Sequence, residues 1–308
     1  MDLILDTDIG TDVDDAFALA FALRHPDVNL VAVTTVSGDV RRRGHIARKL
    51  LGLAGRPEVE VAAGRPVPPK AGTRPAWMGH EGEGLLEPGE QPELSRRDGV
   101  SLLLEETAAA VRAGRAIQVA TIGAHTNIAG ALDRDPRFSE RITKLAVMGG
   151  VFGPRSDGAP VPPSRDHNLN VDQDSALRSL NARLPLLYVP YNVTVDAIVT
   201  RRHLERLRHA DALCQSLVWL TDRWAEVLRR KGDLRLPDQV ATLHDPLTVA
   251  CLVDRRFVTV EELPVTAAVH EGTVRTFIDP VDGSPAEVVT SVDAESFVDA
   301  CLDIVTGG

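Results

Sequence analysis

The chain has 308 residues, 44% of them hydrophobic and 25% charged, a globular composition long enough for one large α/β unit or two small ones. Its formal net charge of -10 argues against a nucleic-acid polyanion or an anionic membrane as main partner, because both are bound through basic surfaces. No apolar run reaches bilayer length and the first strand starts at residue 2, leaving no room for a signal peptide, so a cytoplasmic protein is expected.

Apolar β-branched runs alternate with helical patterns along the first half. Strand Leu3 to Leu5 is followed by a helix to about Arg24, strand Leu30 to Val36 by a helix from about Arg42 to Leu53, and then comes Val59 to Ala62. The Pro- and Gly-rich stretch Gly64 to Asp98 breaks the rhythm and is long enough to be a lid or binding loop. A helix over Ser101 to Val111, strand Ile117 to Ile122, a short helix from Thr126 and strand Lys144 to Met148 resume it. A second irregular stretch, Gly153 to Arg165, follows.

Beyond Tyr188 the pattern predicts helices at about Arg202 to His209 and Ala212 to Lys231. Short strands near Val258 to Val269, Val274 to Ile278 and Glu287 to Thr290 precede a last helix from Ala294. This alternation predicts an α/β fold with an open, mainly parallel sheet flanked by helices and a helical and small β C-terminal part. Nothing marks a linker, so residues 1–308 read as a single domain. Cys214, Cys251 and Cys301 are few and widely spaced and read as buried thiols. The runs Arg41-Arg42-Arg43 and Arg229-Arg230-Lys231 read as solvated helix faces or ends.

The chemistry concentrates at strand exits. Residues 6 to 15 hold five carboxylates in ten residues, Asp6, Asp8, Asp12, Asp14 and Asp15, where the first strand gives way to a helix. Acids in a first helical turn are favoured by its free N–H groups, which accounts for Asp12, Asp14 and Asp15 but not for Asp6 and Asp8. Mutual repulsion of such a group is relieved by a hard divalent cation. Other exits carry Ser37-Gly38-Asp39, Gly123-Ala124-His125-Thr126-Asn127 and Met148-Gly149-Gly150, and ligands of parallel sheets bind beyond these ends. His244-Asp245-Pro246 opens a later apolar helix, with Asp245 as its N-cap and Pro246 at the first helical position.

These residues, together with Asn168, resemble the inosine-uridine preferring nucleoside hydrolase family, in order and over most of the chain. The resemblance implies a Rossmann-like core and Ca²⁺-dependent hydrolysis of the N-glycosidic bond of ribonucleosides to ribose and free nucleobase. Carried over by position, Asp8, Asp15 and Asp245 bind Ca²⁺ through carboxylates and Thr126 through its backbone carbonyl. Asp8 is then the general base on a metal-bound water and His244 the acid for the leaving base. Asp14 and Asn168 contact the ribose, Asp39 and Asp166 occupy substrate-binding positions, and His80 lies in a segment near the base, Trp77 to Leu85. His125 and His167 are further candidates to approach the pocket. Asp6 and Asp12 support the loop. The resemblance also implies a homodimer or homotetramer and a small-molecule partner.

Several positions depart from the family pattern. Two additional residues, Asp12-Val13, stand inside the opening motif. Asp39 replaces an Asn, Asp166 a Glu, and Pro160 falls where an Asn is expected, so sugar recognition is altered. These changes leave a modified or cationic ribosyl compound as an alternative substrate and a non-catalytic calcium-dependent ribosyl-binding protein as an alternative role. A phosphohydrolase using Asp-x-Asp-x-Thr is disfavoured, since Gly10 stands where Thr is required and the surplus acids would repel a phosphate.

Overall fold

The computed structural model describes residues 1–67 and 78–307; Trp77 and the middle of the first irregular stretch lie outside them. In chain order the elements are β1 (Asp2–Thr7), α1 (Asp14–Arg24), β2 (Asn29–Thr35), α2 (Val40–Leu53), β3 (Glu60–Ala63), α3 (Gly99–Arg112), β4 (Ile117–Thr121), α4 (Thr126–Arg134), α5 (Phe138–Arg141) and β5 (Lys144–Met148). There follow α6 (His167–Val171), α7 (Gln173–Leu180), β6 (Leu186–Val189), α8 (Tyr191–Thr194), β7 (Ile198–Thr200), α9 (Arg201–Arg208), α10 (Ala212–Lys231) and β8 (Gln239–Thr242). The chain ends with α11 (His244–Val253), β9 (Val258–His270), β10 (Thr273–Ile278), β11 (Ser284–Val292) and α12 (Ala294–Thr306).

The large sheet has nine strands in the order β10-β9-β11-β6-β5-β4-β1-β2-β3. Pairing is parallel from β11 to β3, and β9 runs antiparallel to both its neighbours. From β1 the chain builds outward to β2 and β3, then returns to the other side of β1 with β4, β5 and β6. The sheet order therefore reverses between β1 and β4, the switch point beyond which ligands bind in open parallel sheets.

Strand alternation divides the core between two faces. Leu3 and Leu5 of β1 pack with α1, α10, α11 and α12, whereas Ile4 packs with α3, α4 and α7 on the other side. Helix α1 is apolar nearly all round, with every residue from Asp14 to Ala22 buried, as a helix covered on its outer side as well must be. Asp14 and Asp15 fill its first turn and Arg24 its last, both favourable to the helix dipole. Helix α10 ends on Gly232 at φ 70°, a left-handed terminator that costs little without a Cβ.

The structure differs from the sequence reading at several points. β7 and β8 pair as a small antiparallel sheet that the periodicity did not signal. Helix α2 starts at Val40, capped by Asp39. Helix α11 starts at His244, with Leu243 as N-cap, so Asp245 lies in the first turn. Arg43 is 1% exposed rather than solvated. The three cysteines are buried and free, as expected. No helix among the described residues is long and apolar enough to cross a membrane.

Candidate active site

The floor of the site is built from the ends of the central strands. Asp6, the last inward acid of β1, is fully buried; Asn127 donates to its Oδ1 at 2.7 Å and Thr34 at 2.6 Å. Burial outweighs these donors and pushes its pKa up to about 7. Asn127 also donates to the Thr35 carbonyl, so one buried amide joins the exits of β1, β2 and β4. Asp6 is thus tied into the strand ends, and the acids that line the cavity lie after it.

Asp14, Asp15 and Asp245 converge there. Their carboxylate oxygens lie within 4.8 Å of one another and all three residues are buried. Each carboxyl is held well above the usual range, first by burial and then by the negative charge of neighbouring aspartates. Thr7 Oγ1 donates to Asp15, and the Asp245 backbone N–H donates to Asp14 Oδ2 at 3.4 Å. Repulsion left this strong in a buried site is what a bound cation removes. Oxygen-only donors suit a hard divalent ion, so the residues present fit the metal that the sequence implied.

Asp8 and Asp12 line the same cavity without belonging to the triad. Asp12, expected only to support the loop, therefore faces the cavity, and burial followed by the charge of Asp15 pushes it up to about 7. The buried counter-charge is Arg43. Its guanidinium donates to the carbonyls of Ser37 at 2.8 Å and Ile9 at 2.9 Å and to that of Asp8, and its charge draws the Asp15 carboxyl down. Sequence reasoning missed it, though three successive arginines on one helix spread over about 200° and so point in well-separated directions.

The cavity has a volume of about 820 Å³. His244 forms part of its wall: its Nδ1 lies 2.7 Å from Thr194 Oγ1, its ring stacks on Tyr191 at 5.2 Å, and burial lowers its pKa to about 4. Asn168 donates from Nδ2 to the carbonyls of Ile122 at 2.9 Å and Met148 at 3.2 Å, which pins its amide over the ends of β4 and β5. Asp166 caps α6 through the Leu169 N–H and accepts from the Gly150 N–H at 2.6 Å, and burial raises it to about 6. It lines the cavity, with its carboxylate engaged by backbone. Trp224 of α10 and Tyr191 add aromatic faces to the wall, and His167 also lines it.

Four expected positions stand elsewhere. Asp39 is exposed, accepts from the Arg42 N–H as the cap of α2, and is not among the residues lining the cavity. Thr126 opens α4 with its hydroxyl on Asp172 Oδ2 at 2.7 Å and is likewise absent from the lining. His80 stands one layer back: its Nε2 is 2.8 Å from the carbonyl of Thr11, which itself faces the cavity. His125 is fully buried against Ser179 Oγ at 2.5 Å and does not reach the pocket.

Hard oxygen donors around a cation position, opening on a roomy cavity at a sheet switch point, are the equipment of a hydrolase that activates water on a metal. The chain belongs to the inosine-uridine preferring nucleoside hydrolase family, whose model matches residues 3–299, and it is an enzyme of the N-ribohydrolase, or glycosidase, class. It is 28% identical over 287 residues to the inosine-uridine preferring nucleoside hydrolase of Leishmania major, covering 91% of this chain and 87% of that protein. It is 28% identical over 308 residues to the pyrimidine-specific ribonucleoside hydrolase RihA of Salmonella paratyphi A, covering 96% of each. Among solved structures, the purine-preferring ribonucleoside hydrolase from Gardnerella vaginalis superposes with a TM-score of 0.81 at 25% identity, covering 100% of this chain and 98% of that one. The base preferences in these three names differ.

Proposed function

We propose that the protein hydrolyses the N-glycosidic bond of ribonucleosides to ribose and free nucleobase, using Ca²⁺ at the aspartate cluster and the whole of residues 1–308 as one catalytic domain. The observation that carries this reading is the meeting of Asp14, Asp15 and Asp245 at the switch point of a nucleoside hydrolase sheet. Asp15 and Asp245 are the donors common to the expected set and the cluster. Asp14, expected on the ribose, joins that cluster and fits either task. Asp8 and Thr126 are left as donors by resemblance alone.

When bound, the cation supplies a lowered pKa for water and an anchor for sugar hydroxyls. The side chains do the rest. Asp8, beside the cluster yet outside it, takes the water's proton as general base. Cleavage builds positive charge on the ribose ring, and the carboxylate-lined wall stabilises it more than it stabilises the neutral substrate. The pinned amide of Asn168 orients the sugar. His244, backed by Thr194, stacked on Tyr191 and kept neutral by burial, donates a hydrogen bond to the departing base, which as a bare anion leaves poorly.

Asp12 supports a second reading of the same site, a cationic ribosyl substrate, because it adds a carboxylate to the cavity wall. Asp39 and Asp166 support it less, being engaged with backbone. The deciding experiment is reducing-sugar release from a panel of purine, pyrimidine, deoxy and cationic ribosides, with and without a chelator. Ribosides turned over, deoxyribosides spared, and loss of rate in chelator and in Asp8→Ala are expected. Equal, negligible rates for native and Asp8→Ala chains would leave a ribosyl-binding protein instead. The proposed assembly, a homodimer or homotetramer, is read by light scattering on the same preparation.

A further inference from the structure

A wall of the cavity comes from a part of the chain that no motif marked. The β9–β10 hairpin turns at Glu271 and Gly272, both with positive φ (51° and 76°), the conformation that matches the twist of a two-residue hairpin. Its tip, Gly272 and Thr273, lines the cavity together with Asn170 and Gln173. Two side-chain amides fasten it there. Asn170 Oδ1 accepts from the Val274 N–H at 2.9 Å, and Gln173 Nε2 donates to the Gly272 carbonyl at 2.8 Å and to Asn170 Oδ1 at 3.3 Å.

The other end of the Asn170 amide faces the opposite way along the chain. Its Nδ2 donates to the carbonyls of Asp166 at 2.8 Å and Pro163 at 3.2 Å. One side chain therefore ties the hairpin to the irregular stretch before α6. That matters because α6 has only five residues, too few to hold a helix by itself, and it carries Asn168. Its N-terminus is held by Asp166, which caps Leu169. Its C-terminal part is held from outside, by the hairpin, through Asn170.

We propose that Asn170 is a positioning residue for the hydrolytic site, clamping the β9–β10 hairpin to α6 so that Asn168 keeps its place against the sugar. This rests on the ribonucleoside reading above. A shift of about 1 Å in a substrate-orienting group costs on the order of 100-fold in rate. The donors of the aspartate cluster lie on α1 and α11, so cation affinity is untouched by the clamp.

The test uses the full-length Ca²⁺-loaded protein and compares Asn170→Ala with native chain by two readouts. Amide hydrogen exchange at Val274 is expected to speed up at least about tenfold, since its acceptor is lost. For a riboside that the native chain hydrolyses, kcat is expected to fall about 10- to 100-fold with a smaller change in KM, and the Ca²⁺ Kd by calorimetry to stay within about twofold. Unchanged exchange, or faster exchange with kcat/KM within about twofold of native, overturns the proposal. Should Asn170→Ala fail to fold, Asn170→Ser, whose hydroxyl is too short to span both the Val274 N–H and the Asp166 and Pro163 carbonyls, is read by the same measurements and scored the same way. No turnover of any riboside by the native chain overturns the functional reading and the positioning role with it, whereas exchange still decides whether the clamp exists.

Discussion

The backbone N–H of Asp245 donates to the Oδ2 of Asp14 across a sequence separation of 231 residues, so the first turns of α1 and α11 face each other over the cation position. Each helix brings its acid on the first turn, where the free N–H groups make ionised carboxylates least costly. This hydrogen bond joins the two helix starts although their carboxylates repel one another.

That repulsion predicts how the cation couples to stability. With chelator present, Asp15→Asn should melt at or above the native temperature, because one buried like charge is gone. With Ca²⁺ added, only the native chain should gain stability, by about 2.7 kcal/mol at a cation concentration 100 times Kd. Thermal melts of both proteins with chelator and with Ca²⁺ check this; an equal Ca²⁺-induced gain in the two would exclude Asp15 as a donor.

Asp6 predicts a pH dependence of stability. Its folded pKa, about 7, lies above the ordinary 3.8, so the unfolded chain gives up this proton at lower pH than the folded one does. The stability it contributes is whole below about pH 4 and is lost as pH rises toward 7, at up to about 1.4 kcal/mol per pH unit. Asp6→Asn keeps an oxygen for Thr34 and Asn127 while removing the ionisation. It should flatten the decline seen by urea unfolding between pH 4 and 8, and should be the more stable protein at pH 8.

Thr194 tests the imidazole. Thr194→Val removes the partner of His244 Nδ1 and leaves the Tyr191 stack in place. A fall in kcat of about 10-fold with little change in KM is expected, and a fall of about 100-fold or more for His244→Ala. Substrates whose bases leave readily as anions should show smaller losses. Steady-state kinetics on a series graded by base pKa separates leaving-group assistance from simple packing, which would cost all substrates alike.

Gly123 is a steric test of Asp8. A Cβ there would sit 2.9 Å from both the backbone nitrogen and Oδ1 of Asp8, and 2.8 Å from Val36 Cγ1. Gly123→Ala should therefore displace the proposed base and lower kcat on the order of 100-fold while the aspartate triad still binds Ca²⁺. Calorimetric Ca²⁺ titration beside the rate measurement distinguishes this from unfolding.

Much of this arrangement is legible in the sequence. Continuous apolar runs at Leu3 to Leu5 and Lys144 to Met148 became β1 and β5, and the alternation with helices became the parallel sheet. The aspartate-rich exit of β1 and the distant His244-Asp245 pair both reached the cavity. The misreadings share a cause. Arg43 looked solvated because charge runs usually are, yet helix rotation put it under the acids. Asp39, placed by resemblance at a substrate-binding position, has its carboxylate on the Arg42 N–H at the start of a helix, a local role that its neighbours in sequence did not announce.

Local periodicity is a property of neighbouring residues, and it alone determined the α/β class, the strand exits and the types of donor present. Which donors meet is a different quantity. It depends on strand order, on the reversal between β1 and β4, and on the angle at which α11 approaches α1, all of them set by packing between residues far apart in the chain. Only the tertiary structure could therefore put Asp14 rather than Asp8 in the buried triad, place Arg43 beneath it, and bring a C-terminal hairpin into the wall of the site.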